Sequence, residues 1–173
     1  MPGVRRSRWK SVVVTCAGQS FRLRAAPAAD WIFGALSPDL SGVFPGLVRD
    51  GDIRRVYDLW SELPDMQVRC LNVSYAALGR AGGRDWFWVL NLIQECWENW
   101  TQVNGILVRQ GVRADEEGLT DWLDAAYSML MERLDGKGRD ALNMRLMKTP
   151  QGVAELVTPP MSTRDDLMAF ARD

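Results

Sequence analysis

Residues 85–100 read DWFWVLNLIQECWENW, and no other stretch limits the fold as strongly. It holds Trp86, Trp88, Trp97 and Trp100, four of the eight tryptophans in the chain. At about 100° per residue, Leu90, Ile93, Trp97 and Trp100 fall within about 40° of Trp86, with Val89 at the margin. A stripe of this kind marks a helix face turned to a core, so the stretch opens the longest helix of a helical domain. That helix is expected over residues 85–110, with Gly111 as its stop. Trp88 lies near 200°, beside Leu92 and close to Asn91, Glu95 and Asn99. Two readings of that smaller patch stay open. Trp88 and Leu92 are covered by the hairpin or another helix, or they are exposed and grip a partner, as tryptophan does at interface hot spots. Trp122 poses the same question from about 90° off the centre of its helix's apolar face.

The flanking segments agree with a mainly α fold. Val12, Val14 and Cys16 alternate with Val13 and Thr15, and Phe21 and Leu23 alternate with Ser20, Arg22 and Arg24. Either side of Ala17-Gly18-Gln19 this period of two predicts a small N-terminal β-hairpin over residues 11–24. Pro27 opens a helix over AADWIFGAL. SPDLSGVFPGLV reads as a helical turn and then an irregular apolar connection, since Pro45-Gly46 does not continue a helix. Asp50 or Asp52 caps the next helix, whose Ile53, Val56, Tyr57, Trp60 and Leu63 share a face. Pro64 starts another, running to about residue 78 before Gly79, Gly82 and Gly83 break it. After a polar loop at 112–118, Thr120 caps DWLDAAYSMLMERL, with Leu123, Ala126, Tyr127, Leu130 and Leu134 on one face. Asp135-Gly136-Lys137-Gly138 interrupts the chain before a short helix at about 139–148. The division is a helical domain with its hairpin at 1–148 and a C-terminal tail at 149–173. The tail carries a short helix with Leu167, Met168 and Phe170, capped by Ser162 or Thr163.

Composition removes several classes of function. Lysine plus arginine, 21, nearly balances aspartate plus glutamate, 22, which argues against nucleic acid and anionic membranes as partners. The exception is the basic opening RRSRWK, read as a solvated terminus. No histidine is present, so His-based triads and His-containing zinc sites are excluded. Cys16, Cys70 and Cys96 are odd in number and widely spaced, fitting reduced buried thiols in a reducing compartment. The Val12 to Ala17 run is too short for a signal peptide, and no run approaches a membrane span.

No residue pattern calls for catalysis or a cofactor. Asp121 with Asp124, and Glu95 with Glu98, are spacings that solvated helix faces produce routinely. DEEG at 115–118 is too short for a calcium loop. Gly79-Arg80-Ala81-Gly82-Gly83-Arg84 lacks the lysine and the preceding strand of a phosphate-binding loop, and reads as a turn between helices. The chain is expected to be no enzyme, with no metal and no cofactor.

Five pieces in order carry a resemblance: a hairpin ending in FRLRAAP, then ADWIFGAL, VFPGLV, GRDWFWVLNLIQECWENW and LTDWLDAAYSMLMERLD. Together, over residues 12–135, they resemble tail assembly chaperones of actinobacterial phages. None is an active-site motif, and their joint order is what resembles the family. The resemblance implies a chaperone that coats the long, helical tape measure protein until tail tube subunits polymerise around it. It implies a cytoplasmic place in the infected host cell and absence from the mature virion. Self-association is a further expected interaction. The alternative is a structural or adaptor component retained in the particle.

Holding an amphipathic helix needs an exposed groove rich in methionine and aromatic side chains. Met129, Met131, Met144, Met147, Met161 and Met168 lie in the last third of the chain, with Trp122 beside them. Met131 and Met144 also read as core. The candidate partner-binding residues are therefore Trp88, Leu92, Trp122, Met129, Met147, Leu167, Met168 and Phe170. The client-facing surface is expected on the Trp122 helix and the segments after it.

Overall fold

The computed structural model describes Trp9 and residues 11–149. The hairpin pairs β1 (Val13–Cys16) with β2 (Gln19–Arg22), Val14 opposite Phe21 and Cys16 opposite Gln19. Its turn is Ala17-Gly18 alone, with φ of 50° and 75°. Two successive positive φ values give the turn whose twist suits the flanking strands. Val14, Cys16 and Phe21 point inward and are buried, as are Val12 and Leu23 beyond the strand ends. Leu23 then bridges to Val48, and the Arg24 N–H donates to the Leu47 carbonyl at 2.7 Å, tying the hairpin to the helical part.

Helix α1 (Ala28–Ala35) begins directly after Pro27, as its sequence predicts. The next segment departs from expectation. Residues 43–47 form a short helix, α2 (Val43–Leu47), with Pro45 inside it. Proline is tolerated there because a first helical turn makes no use of that N–H. The Phe44 N–H, also orphaned at this end, donates to Ser74 Oγ at 2.9 Å.

A 3-10 turn at Asp50–Asp52 feeds α3 (Ile53–Glu62). Asp52 gives no side-chain cap; its carboxylate accepts from Arg55 Nη1 at 2.7 Å instead. Helix α4 (Met66–Gly82) runs straight through Gly79 to a left-handed cap at Gly83, where φ is 66°. The glycines thus serve packing rather than early termination. A Cβ on Gly82 would lie 2.6 Å from Val89 Cγ2, and one on Gly79 would lie 3.0 Å from the Arg84 carbonyl oxygen. Only a bare backbone lets the next helix fold back this closely.

The long helix expected over residues 85–110 is two helices. Helix α5 (Trp86–Glu98) ends and α6 (Trp100–Arg109) begins at Asn99, whose φ of −124° and ψ of 33° are not helical. Helix α7 (Leu119–Arg133) starts after Gly118, not with Thr120 as cap. The Thr120 hydroxyl donates to the Ala81 carbonyl at 2.9 Å, joining α7 to α4. Helix α8 (Gly136–Leu146) begins earlier than expected, because Asp135 caps it by accepting from the Gly138 N–H. The result is a mainly helical fold with a two-stranded hairpin. No helix among the described residues is long and apolar enough to cross a membrane.

Helix α5 lies between α4, α7, α8 and α1, and this crowding decides the open reading of Trp88 and Leu92: both are covered by other helices. Trp88 is 8% exposed and Leu92 is fully buried. The Trp88 ring lies 5.6 Å from that of Tyr127, centroid to centroid, and the Arg84 guanidinium sits 4.5 Å over the indole. Trp97, assigned to the core by its stripe, is 45% exposed. Trp86 and Trp100 are half-buried, the first tilted against the Tyr75 ring with centroids 4.2 Å apart. Trp97 stands in the last turn of α5, next to the break at Asn99, where the packing that covers Leu90 and Ile93 has run out. Trp97 is left beside Trp100, with ring centroids 5.6 Å apart.

Candidate functional site

The exposed apolar surface that stands out lies on α3. With Ile53 at 0°, Tyr57 falls at about 40°, Trp60 at −20°, Val56 at −60°, Leu63 at −80° and Leu59 at −120°. This apolar arc spans about 160°, wider than one helix–core contact covers. Val56 and Leu59 are the residues the protein buries. Ile53, Tyr57 and Trp60, expected to face inward with Val56, are 39%, 67% and 46% exposed.

Arg55 explains this roll. Its guanidinium sits 4.7 Å over the Phe21 ring, and its nitrogens donate to Asp52 Oδ1 at 2.7 Å and Gln19 Oε1 at 3.1 Å. Arg55 lies about 160° from Ile53 around the helix. Docking Arg55 on the hairpin therefore turns Ile53, Tyr57 and Trp60 away from the core.

Facing that half-stripe, α2 presents Pro45 and Gly46. Pro45, Gly46, Ile53, Val56, Tyr57, Trp60 and Ser61 line a hollow of about 560 Å³, and none of these described residues is charged. A Cβ added at Gly46 would meet nothing within 4 Å, so the floor of the groove is open there. Concave, largely apolar surfaces with a few hydroxyl or backbone groups at the rim suit an apolar side-chain row rather than a polar metabolite.

A second cleft, about 590 Å³, opens at the α4–α5 turn between Gly79, Arg80, Gly83, Arg84, Asp85, Trp88 and Met147. Its cations are already engaged. Arg84 pairs with Asp124 at 3.3 Å and covers Trp88, while Arg80 donates to the Val13 carbonyl. The glycine-rich stretch thus forms the turn between two helices, as its sequence suggests.

The chemistry of the thiols is suppressed by burial. Cys70 and Cys96 are pushed up to about 12, chiefly by loss of hydration, with nearby negative groups adding to the effect. Burial also raises Cys16. Thiols held protonated this far above neutrality are poor nucleophiles. Among the described residues, no three Cys, Asp or Glu side chains converge to hold a metal.

Among the described residues, those singled out from sequence for partner binding do not form a surface. Trp88, Leu92, Trp122 and Met129 are all buried. Trp122 packs its ring 6.0 Å from Trp100, with Leu119, Leu123, Ala126 and Met129 also inward on α7. The buried face of α7 is thus turned toward Trp122, because α7 must meet α6 as well as α4 and α5. Met147 is exposed, as is Met144. Leu167, Met168 and Phe170 lie outside the described residues. Sequence reasoning missed the exposure of Ile53, Tyr57 and Trp60. The available signal was Leu59, which makes the apolar arc of α3 too wide for one buried face. No protein-family model matches the chain, and no curated protein or solved structure matches it either.

Proposed function

We propose that this chain is a non-catalytic chaperone that shields an amphipathic helix of a client protein in the groove between α2 and α3. The observation that carries the reading is the exposed row Ile53, Tyr57 and Trp60 beside the open Pro45-Gly46 floor. These side chains recur at i, i+4 and i+7, the spacing with which a helix offers apolar anchors to a groove or a partner helix. Exposed aromatics in a concave patch carry a hydration penalty that the folded chain retains alone, and a bound apolar helix removes it. The resemblance of the five segments to phage tail assembly chaperones names the client as a tape measure protein, whose long helices need such shielding before assembly.

Co-expression of the tape measure protein with this chain tests the reading. The wild-type chain is expected to keep the client in the soluble fraction. Tyr57→Glu and Trp60→Glu, each placing a charge in the groove, are expected to lose that protection while melting like the wild type. Equal protection by the two charged variants would remove the groove from the mechanism. Recovery of the chain in purified virions by mass spectrometry would instead favour a retained adaptor.

A further inference from the structure

Resting on that reading, we infer that the groove is occupied in the absence of client by α3 of a second copy, packed antiparallel to form a two-fold dimer. Helix α3 supplies both one wall of the groove and the exposed apolar row. Ile53, Tyr57 and Trp60 form the wall of the hollow, and they are also an exposed row that fits such a hollow. A patch that can serve as both sides of a contact closes with two-fold symmetry, giving a dimer rather than an open chain.

Charge fixes the direction. Arg54 and Asp58 both lie on one flank of the exposed row, at about 100° and 140° from Ile53. No ion pair involves either among the described residues, although they are four apart on one helix. Arginine placed N-terminal to an acidic partner is the weaker order for an intrahelical pair. In an antiparallel pair centred at the level of Val56, Arg54 of each copy runs beside Asp58 of the other, forming two equivalent ion pairs. A parallel two-fold pair would carry this flank of the two copies to opposite sides of the contact and leave Arg54 and Asp58 without partners across it. The acidic and basic residues therefore select the antiparallel arrangement.

Area sets the strength. The three side chains leave on the order of 300 Å² exposed per copy. Stable complexes bury ~800 Å² per partner, so the α3 contact belongs to the weak, rapidly exchanging class. A contact of that class covers the aromatics in the resting protein and yields to a client helix that fills more of the groove.

Sedimentation velocity of the full chain over a concentration series, without client, tests the dimer. The wild type is expected to shift from monomer to dimer. Arg54→Asp and Asp58→Arg are each expected to weaken association about tenfold, a step of 1.4 kcal/mol. The variant carrying both is expected to associate like the wild type, because the reversed charges again meet across the two-fold axis. Tyr57→Cys gives an independent reading. Cys16, Cys70 and Cys96 are buried, so a covalent dimer formed under mild oxidation reports the introduced thiol. A chain that stays monomeric at every concentration and gives no covalent dimer overturns the inference. If that monomer still protects the client, the chaperone reading stands without the dimer. A dimer lacking client protection leaves the inference standing and removes the chaperone reading. Failure of the doubly reversed variant to recover association overturns the antiparallel arrangement.

Discussion

Truncating Trp88 should unfold the protein far more readily than truncating Trp97, although both sit on α5 and sequence periodicity ranks them the other way. Trp88 is 8% exposed, so its truncation to alanine gives up burial of about 200 Å² of mostly apolar surface. At about 25 cal/mol per Å² the transfer loss approaches 5 kcal/mol, and the β-carbon that alanine keeps trims this to about 4. Alanine's better helix propensity returns about 0.5 kcal/mol, and loss of the Arg84 contact removes a similar amount. Trp88→Ala is therefore expected to cost about 4 kcal/mol, within the ~3–5 kcal/mol range of buried tryptophan truncations. Trp97 is 45% exposed and leans on Trp100, so Trp97→Ala is expected to cost about 1.5 kcal/mol. Urea unfolding followed by far-ultraviolet circular dichroism measures both, and equal m-values license comparing the midpoints. Equal losses, or a larger loss at Trp97, would refute the placement of α5.

Gly82→Ala should destabilise by about 1–3 kcal/mol despite alanine's helix propensity, because Val89 and Leu123 both crowd the added carbon and are themselves fully buried. Adding Val89→Ala should recover part of that loss relative to Val89→Ala alone, and strict additivity in a double-mutant cycle would count against the contact. Asn91→Asp should loosen α8 selectively. The Asn91 amide donates to the carbonyls of Arg145, Leu146 and Lys148 at 3.1, 3.1 and 2.8 Å, and a carboxylate there would repel all three. Hydrogen exchange should rise in residues 136–148 and stay unchanged in α7. Alkaline pH should also destabilise the fold. Burial holds the Cys70 and Cys96 thiols at about 12, whereas unfolded thiols titrate near ~8.5. Between those values the unfolded chain has released protons that the folded chain retains, so stability falls as pH rises through that window. Replacing both cysteines by alanine should flatten this slope, measured by urea midpoints at several pH values.

What the sequence discloses about the fold is what local periodicity controls. Alternation at Val12, Val14 and Cys16, and at Phe21 and Leu23, yields the hairpin, but not its register: the turn is Ala17-Gly18 without Gln19, which pairs with Cys16. The extent of α1 follows from Pro27. Periodicity is silent about what a helix packs against. Helix α5 is covered on several sides, so its minor patch at Trp88 and Leu92 is core, and its major stripe ends at a break that nothing near Asn99 announces. The same limit hid the groove. Arg55 reads as a solvent residue until Phe21, more than thirty positions earlier, is seen beneath its guanidinium. That long-range contact sets the roll of α3, and the roll decides which apolar residues remain exposed.

Photocrosslinking from position 46 tests the central claim most directly. A photoreactive benzoyl-phenylalanine at Gly46 projects from the floor of the groove, where an added Cβ meets nothing within 4 Å. On co-expression with the tape measure protein, irradiation should join the two chains from this position and not from Met147, which is also exposed but lies at the α4–α5 cleft. Crosslinks from Met147 with none from position 46 would contradict the account and return the client surface to the C-terminal side of the molecule.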